Sequence, residues 1–161
     1  MATYAPTFEV SLMLCDSAAS AEGKLYIQGG GWDNLMAMSI PFHQPRLGLA
    51  IIIRVPYTET NRVHTFQIEL EDQDGKVLGL GPDPSDPAAP RSIEGQFNLG
   101  RPPIIQPGDA QGIPVAINVD RQRFDAPGNY SFVMKMDEEE VGRLSFRVGL
   151  PGGVAIRTQG R

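Results

Sequence analysis

Apolar and polar residues alternate with a period of two along most of this chain. Phe66, Ile68 and Leu70 alternate with Gln67, Glu69 and Glu71, the pattern of a strand with one buried and one wet face. The same period runs through Phe8–Leu14, Ile93–Leu99, Ile113–Val119, Tyr130–Met136 and Leu144–Val148. Shorter strand-like pieces lie at Lys24–Gln28 and Leu35–Ile40, and Leu47–Ile53 is apolar at both phases, as a central strand requires. No segment sustains a 3.6-residue period. The one helical candidate is Asp16–Gly23, about two turns with a capping residue at its start and a glycine stop.

Turn chemistry separates these runs. Asp74-Gly75 predicts a hairpin between Leu70 and Val77, and Asp137–Glu140 predicts an acidic hairpin tip between the last two strands. Pro82, Pro84, Pro87 and Pro90 keep Gly81–Pro90 out of any central strand. Pro102-Pro103 and Pro107-Gly108 stiffen a second crossing loop, Gly100–Gly108. Short strands joined in this way predict an all-β protein: a single antiparallel β-sandwich, immunoglobulin-like or related, of about eight strands. The domain is expected over residues 1–150, followed by a Gly-rich tail over 151–161.

Composition narrows the partners. Gly 18 and Pro 14 are high for a folded chain, and these residues concentrate in the turns expected between strands. Against 14 Lys and Arg stand 19 Asp and Glu, a net charge of −5. That balance lacks the basic footprint of a nucleic-acid binder. The start of the chain has no basic region and Glu9 breaks its first apolar run, so no export signal is expected. The longest apolar run is far short of the roughly 20 residues of a membrane helix. One cysteine, Cys15, permits no internal disulfide and fits a cytoplasmic setting.

The candidate chemistry is sparse. His43 and His64 lack the short-range partners of a zinc site. The acids Glu71, Asp72, Asp74, Asp83 and Asp86 sit in loops but miss the calcium-loop spacing. Cys15, inside a strand-like run, reads as a packed thiol rather than a nucleophile. Gly29-Gly30-Gly31 lacks the residues of a phosphate loop and reads as a bulge or corner. Trp32 beside it reads first as core, and otherwise as a contact residue with Asp33 and Asn34. Tyr130, just after Pro127-Gly128, is placed like the corner tyrosine of immunoglobulin-like sandwiches. At the strands' second phase, Met13, Cys15, Ala50, Ile52 and Val133 would form an apolar outer patch if they were neighbours.

Several stretches resemble an uncharacterised, mostly actinobacterial family of small proteins of unknown function. They are Leu14–Ala18, Gly29–Asp33, His64–Phe66, Asp72–Gly75, Gly100–Pro103 and Pro127–Tyr130. The resemblance implies a β-sandwich and carries no activity, cofactor or catalytic residue.

These readings converge on a non-catalytic cytoplasmic module that binds a protein partner or itself, with no cofactor and no metal. Contact is expected through Trp32, Asp33, Asn34 and the loops at Gly81–Pro90 and Gly100–Gly108, with Arg101 as an anchor. The alternative is a small-molecule or carbohydrate binder using Trp32, Asp33 and Asn34. A metal-dependent or hydrolytic enzyme ranks third.

Overall fold

The computed structural model describes residues 7–153. The first six residues and the tail beyond Gly153 lie outside them, as do the expectations about an export signal and most of the Gly-rich tail. Among the described residues, nine strands form two sheets. The four-stranded sheet has the order β2-β1-β4-β7, from Glu9–Ala21 (β1), Lys24–Gly30 (β2), Phe42–Pro56 (β4) and Ala110–Phe124 (β7). The five-stranded sheet has the order β3-β9-β8-β5-β6. Its strands are Asn34–Met36 (β3), Val63–Glu71 (β5), Ile93–Asn98 (β6), Gly128–Met136 (β8) and Glu139–Gly149 (β9). The all-β, two-sheet expectation stands, with one departure: β3 pairs parallel to β9, so the second sheet is mixed.

The period-two runs face one another as anticipated. Leu14, Leu47, Leu49, Ile51, Ile53 and Val55 from the first sheet pack against Ile68, Leu70, Phe132, Met134, Phe146 and Val148 from the second. Phe124, Tyr130 and Phe146 meet as an aromatic cluster with centroids 4.8–5.9 Å apart. Tyr130 donates its hydroxyl to the Ala126 carbonyl at 2.5 Å, the tether expected of a corner tyrosine.

The expected helix over Asp16–Gly23 is instead the second half of β1. Ala21 pairs with Lys24, and Glu22 and Gly23 take φ of 52° and 71°. Two successive positive φ values make a two-residue hairpin turn, so the glycine read as a helix stop is a turn residue. Pairing with β2 outweighs the weak helical preference of the Ala/Ser run. The Asp74-Gly75 hairpin is also shorter than expected. Asp72 accepts hydrogen bonds from the Asp74 and Lys76 amides, but the returning chain makes a single bridge, Glu71 to Val77. It then enters the Pro-rich loop, and β6 takes the place beside β5. The acidic hairpin tip expected over Asp137–Glu140 is present but narrower. Asp137 and Glu138, with φ of 49° and 73°, form a two-residue turn, while Glu139 and Glu140 already pair with Met136 and Lys135.

The proposed outer patch resolves into two places. Met13 is paired with Ala50 and Ser11 with Ile52 on the first sheet. Val133 lies on the other sheet between Glu69 and Arg143, buried. Above Gly48 the chain of β1 crosses to β7: a Cβ on Gly48 would lie 2.7 Å from Cys15 Sγ and 3.1 Å from the Ser17 nitrogen. The Asn118 amide then holds both the N–H and the carbonyl of Ala18. This crossing buries Cys15 and Ala18 over Ala50, with Leu25 and Ala116 at the margin. Met13 and Ile52 stay partly exposed.

Candidate functional site

Trp32 lies on the link that carries the chain from the first sheet to the second. Gly31 and Gly29, with φ of 91° and 61°, turn the chain out of β2, as a glycine corner was expected to do. The Gly31 amide bonds the Leu14 carbonyl of β1, and the Asp33 carbonyl accepts from the Arg147 amide of β9. Trp32 is thereby held against the core, half-buried, with its indole Nε1 enclosed and unpartnered among the described residues. Asp33 and Asn34 are exposed, and the Asn34 amide donates to the Asp33 carboxylate at 2.5 Å.

The short strand that follows is an edge. The ladder to β9 uses the Asp33 carbonyl and the Ala37 amide, so Leu35 faces β9 as well. Backbone groups alternate along a strand, which turns those of Asn34 and Met36 to the open side. Side chains alternate too: Leu35 packs into the core, while Asn34 and Met36 share the outer face with Arg147. Met36 is 64% exposed and Met38 is 80% exposed. Beside them a shallow depression is lined by Gln73, Pro127, Asn129, Arg147 and Leu150.

Arg101 does not join this group. It stacks over the Tyr57 ring with its guanidinium carbon 4.0 Å from the centroid, and it donates to the Thr60 hydroxyl and the Tyr57 carbonyl. These contacts tie the Gly100–Gly108 loop to the 3₁₀ turn Tyr57–Glu59 ahead of β5. Asn34 is level with the start of β8, through Arg147 and Asn129, whereas Phe66 of β5 pairs with Met136 at its end. The nine residues of β8 therefore separate the two loci, about 27 Å of strand. The Gly81–Pro90 loop is pinned as well, through Leu80 to Pro90, His43 to Pro82 and Gln122 to Gly81.

A polar cluster that sequence reading did not assemble lies at the Arg101 end. His64 is 1% exposed and packs edge-on against Phe8 at 4.8 Å, with Phe97 nearby. Its Nδ1 is 2.7 Å from Asp137 Oδ2 and its Nε2 is 2.7 Å from the Glu59 carbonyl. Both neighbours are acceptors. Asp137 also accepts from the Thr65 amide, and Arg62 pairs with Glu59. Burial works against the Asp137 charge. The His64 and Thr65 hydrogen bonds, with the charges of His64 and Arg62, outweigh it and hold the carboxyl below the usual aspartate range. Glu59 is five residues from His64 but Asp137 is 73 residues away, so no local sequence pattern joined the carboxylate to the ring.

His64 ties the 3₁₀ turn Tyr57–Glu59 to the tip between β8 and β9. Both ring nitrogens of His64 are engaged, and no hydroxyl or thiol nucleophile stands beside them among their hydrogen-bond partners. Burial, reinforced by the Asp16 charge, pushes the Cys15 thiol up, against the opposing backbone hydrogen bond at Ser17. Among the described residues no group of three His, Cys, Asp or Glu side chains is arranged to hold a metal ion. No helix there is long and apolar enough to cross a membrane.

Comparison with solved structures returns distant likenesses. One is the Pseudomonas fluorescens alkylpurine DNA glycosylase AlkC bound to DNA containing an abasic site analog. It is 12% identical, with a TM-score of 0.46 over 88% of this chain and 30% of that one. Another is a family 123 glycoside hydrolase from Clostridium perfringens, 14% identical, with a TM-score of 0.30 over 89% of this chain and 27% of the enzyme. The chain thus spans less than a third of either. No curated protein matches it in sequence. A family's sequence model matches residues 10–149, nearly the whole sandwich, and the chain belongs to that family, the family of unknown function DUF6941.

Proposed function

We propose that this protein is a non-catalytic binding module whose contact surface is the edge segment Trp32–Met38, and that it takes an extended segment of a second protein chain. The observation that carries the reading is the open edge of β3: it ends the sheet, and Met36 and Met38 stand largely exposed along it. Extended peptides add to such edges by main-chain hydrogen bonds, with side chains supplying selectivity. Asn34 and Asp33 belong to this surface. Arg101 serves the scaffold, because its donors already hold the 3₁₀ turn. A ligand site centred on the Trp32 ring has less support, since that ring packs against the core. The Tyr130 tether favours an immunoglobulin-like kinship for the scaffold, and the single buried thiol suits a reducing cytoplasm.

The test is site-specific photo-cross-linking in the protein's own host. A cross-linker at position 38 is expected to give a protein adduct, and one at Gln96, on the opposite edge of the same sheet, is not. Adding Met36→Pro, which removes a donor from the open edge, should abolish the adduct. Equal cross-linking at both positions, or none at position 38, would overturn the proposal.

A further inference from the structure

The chemistry around β3 also specifies what kind of segment fits there, on the reading that its edge is the contact surface. Arg147 stands on the outer face of β9 directly opposite Asn34. Its Nε donates to the Asn129 side chain at 3.1 Å. Among the described residues no carboxylate lies within ion-pairing distance of it. Arg46, Arg62, Arg123 and Arg143 each have one, in Asp120, Glu59, Asp125 and the Glu71/Glu140 pair. An arginine bounded by two asparagines is a cationic point on this face, in a chain of net charge −5. The one nearby acid of the segment, Asp33, is engaged by the Asn34 amide.

The apolar contribution is ordered relative to that charge. Met36 follows Asn34 by two residues on the same outer face, and Met38 and Leu150 extend the exposed apolar surface beyond it. The backbone groups of Asn34 and Met36 have no hydrogen-bond partner among the described residues. A strand laid along this edge would run about 9.6 Å from β9, two strand spacings away. An arginine and a glutamate side chain together span that gap across the short Asn34.

We infer that β3 takes an extended acidic peptide. It carries a carboxylate at one outward position, beside Asn34 and within reach of Arg147. At the next outward position, two residues along, it carries an apolar side chain against Met36. The main chain supplies the pairing and the Arg147 ion pair supplies selectivity, since charge matching across an interface chiefly chooses partners.

The experiment is fluorescence polarisation on the full chain with a labelled peptide, Thr-Val-Thr-Glu-Thr-Val-Thr, and its counterpart with lysine in place of glutamate. The glutamate peptide is expected to bind at least tenfold more tightly, with the preference weakened by salt. Arg147→Glu should reverse it, and Met36→Pro should remove binding of both peptides, with circular dichroism reporting that each variant is folded. If both peptides bind alike and Met36→Pro still removes them, the acidic preference is wrong while the edge reading stands. If neither binds, or binding survives Met36→Pro, the edge reading falls too. Native mass spectrometry completes the test: a dimer that excludes the glutamate peptide would make a second copy the occupant and overturn the inference.

Discussion

Replacing His64 with Leu should cost this fold about 3 kcal/mol. The ring is buried and its two nitrogens bond partners from separate elements, the Glu59 carbonyl and the Asp137 carboxylate, each at 2.7 Å. Leucine retains an apolar body against Phe8 and Phe97 but makes neither bond. A hydrogen bond to a charged group contributes about 1.5–3 kcal/mol and a neutral one about 1 kcal/mol. Asp137 keeps its bond from Thr65 and is 47% exposed in its side chain, so solvent recovers part of its share. With a urea dependence of about 2 kcal/mol per molar, the unfolding midpoint should fall by about 1.5 M. A double-mutant cycle with Asp137→Asn should show coupling, because the two side chains share one bond. By contrast, Arg46→Gln, in an ion pair open to solvent on both sides, should leave the midpoint in place. A fall below about 0.5 M for His64→Leu, or additive effects in the cycle, would refute the view that His64 ties this end of the sandwich together.

Acidification should narrow the gap between wild type and His64→Leu. Asp137 is held below its usual pKa in the folded state, so its contribution is complete above the ordinary aspartate value of about 3.9 and is lost as pH falls through the folded value. Urea midpoints of both proteins between pH 5 and pH 3 check this, and a constant gap would contradict it. Tyr130→Phe should destabilise by about 1 kcal/mol through loss of the bond to Ala126, measured by the same titration. Cys15 is fully enclosed and its thiol is pushed up, so a disulfide reagent at neutral pH should label it only as the protein unfolds; prompt labelling of the native chain would contradict the crossing of β1 over Gly48.

The strands were legible because burial of one face forces period two, as in Phe66-Ile68-Leu70 and Tyr130-Phe132-Met134. Topology was less legible. Asp16–Ala21 is strand because β2 pairs with it and Asn118 reaches across from β7, and neither fact is local. The same holds for the parallel β3–β9 pair, whose partners lie more than a hundred residues apart in sequence. Of the expected contact residues, Asp33 and Asn34 fall on the open edge. Trp32 divides between link and core, and Arg101 turned out to brace a loop, since an arginine's nearest acceptors cannot be read from its sequence neighbours. Met36, Met38 and Arg147 went unnoticed because exposed methionines and a lone arginine have no signature until the edge beside them is known.

The central claim is that the outer edge of β3 is open and is where a partner chain pairs. Amide hydrogen exchange at Met36, resolved by NMR with and without the glutamate peptide, tests it most directly. The account predicts fast exchange at Met36 beside slow exchange at Leu35 and Ala37 in the free protein, and slowed exchange at Met36 once the peptide is bound. A Met36 amide already protected in the free chain, or one left unprotected in the complex, would contradict it.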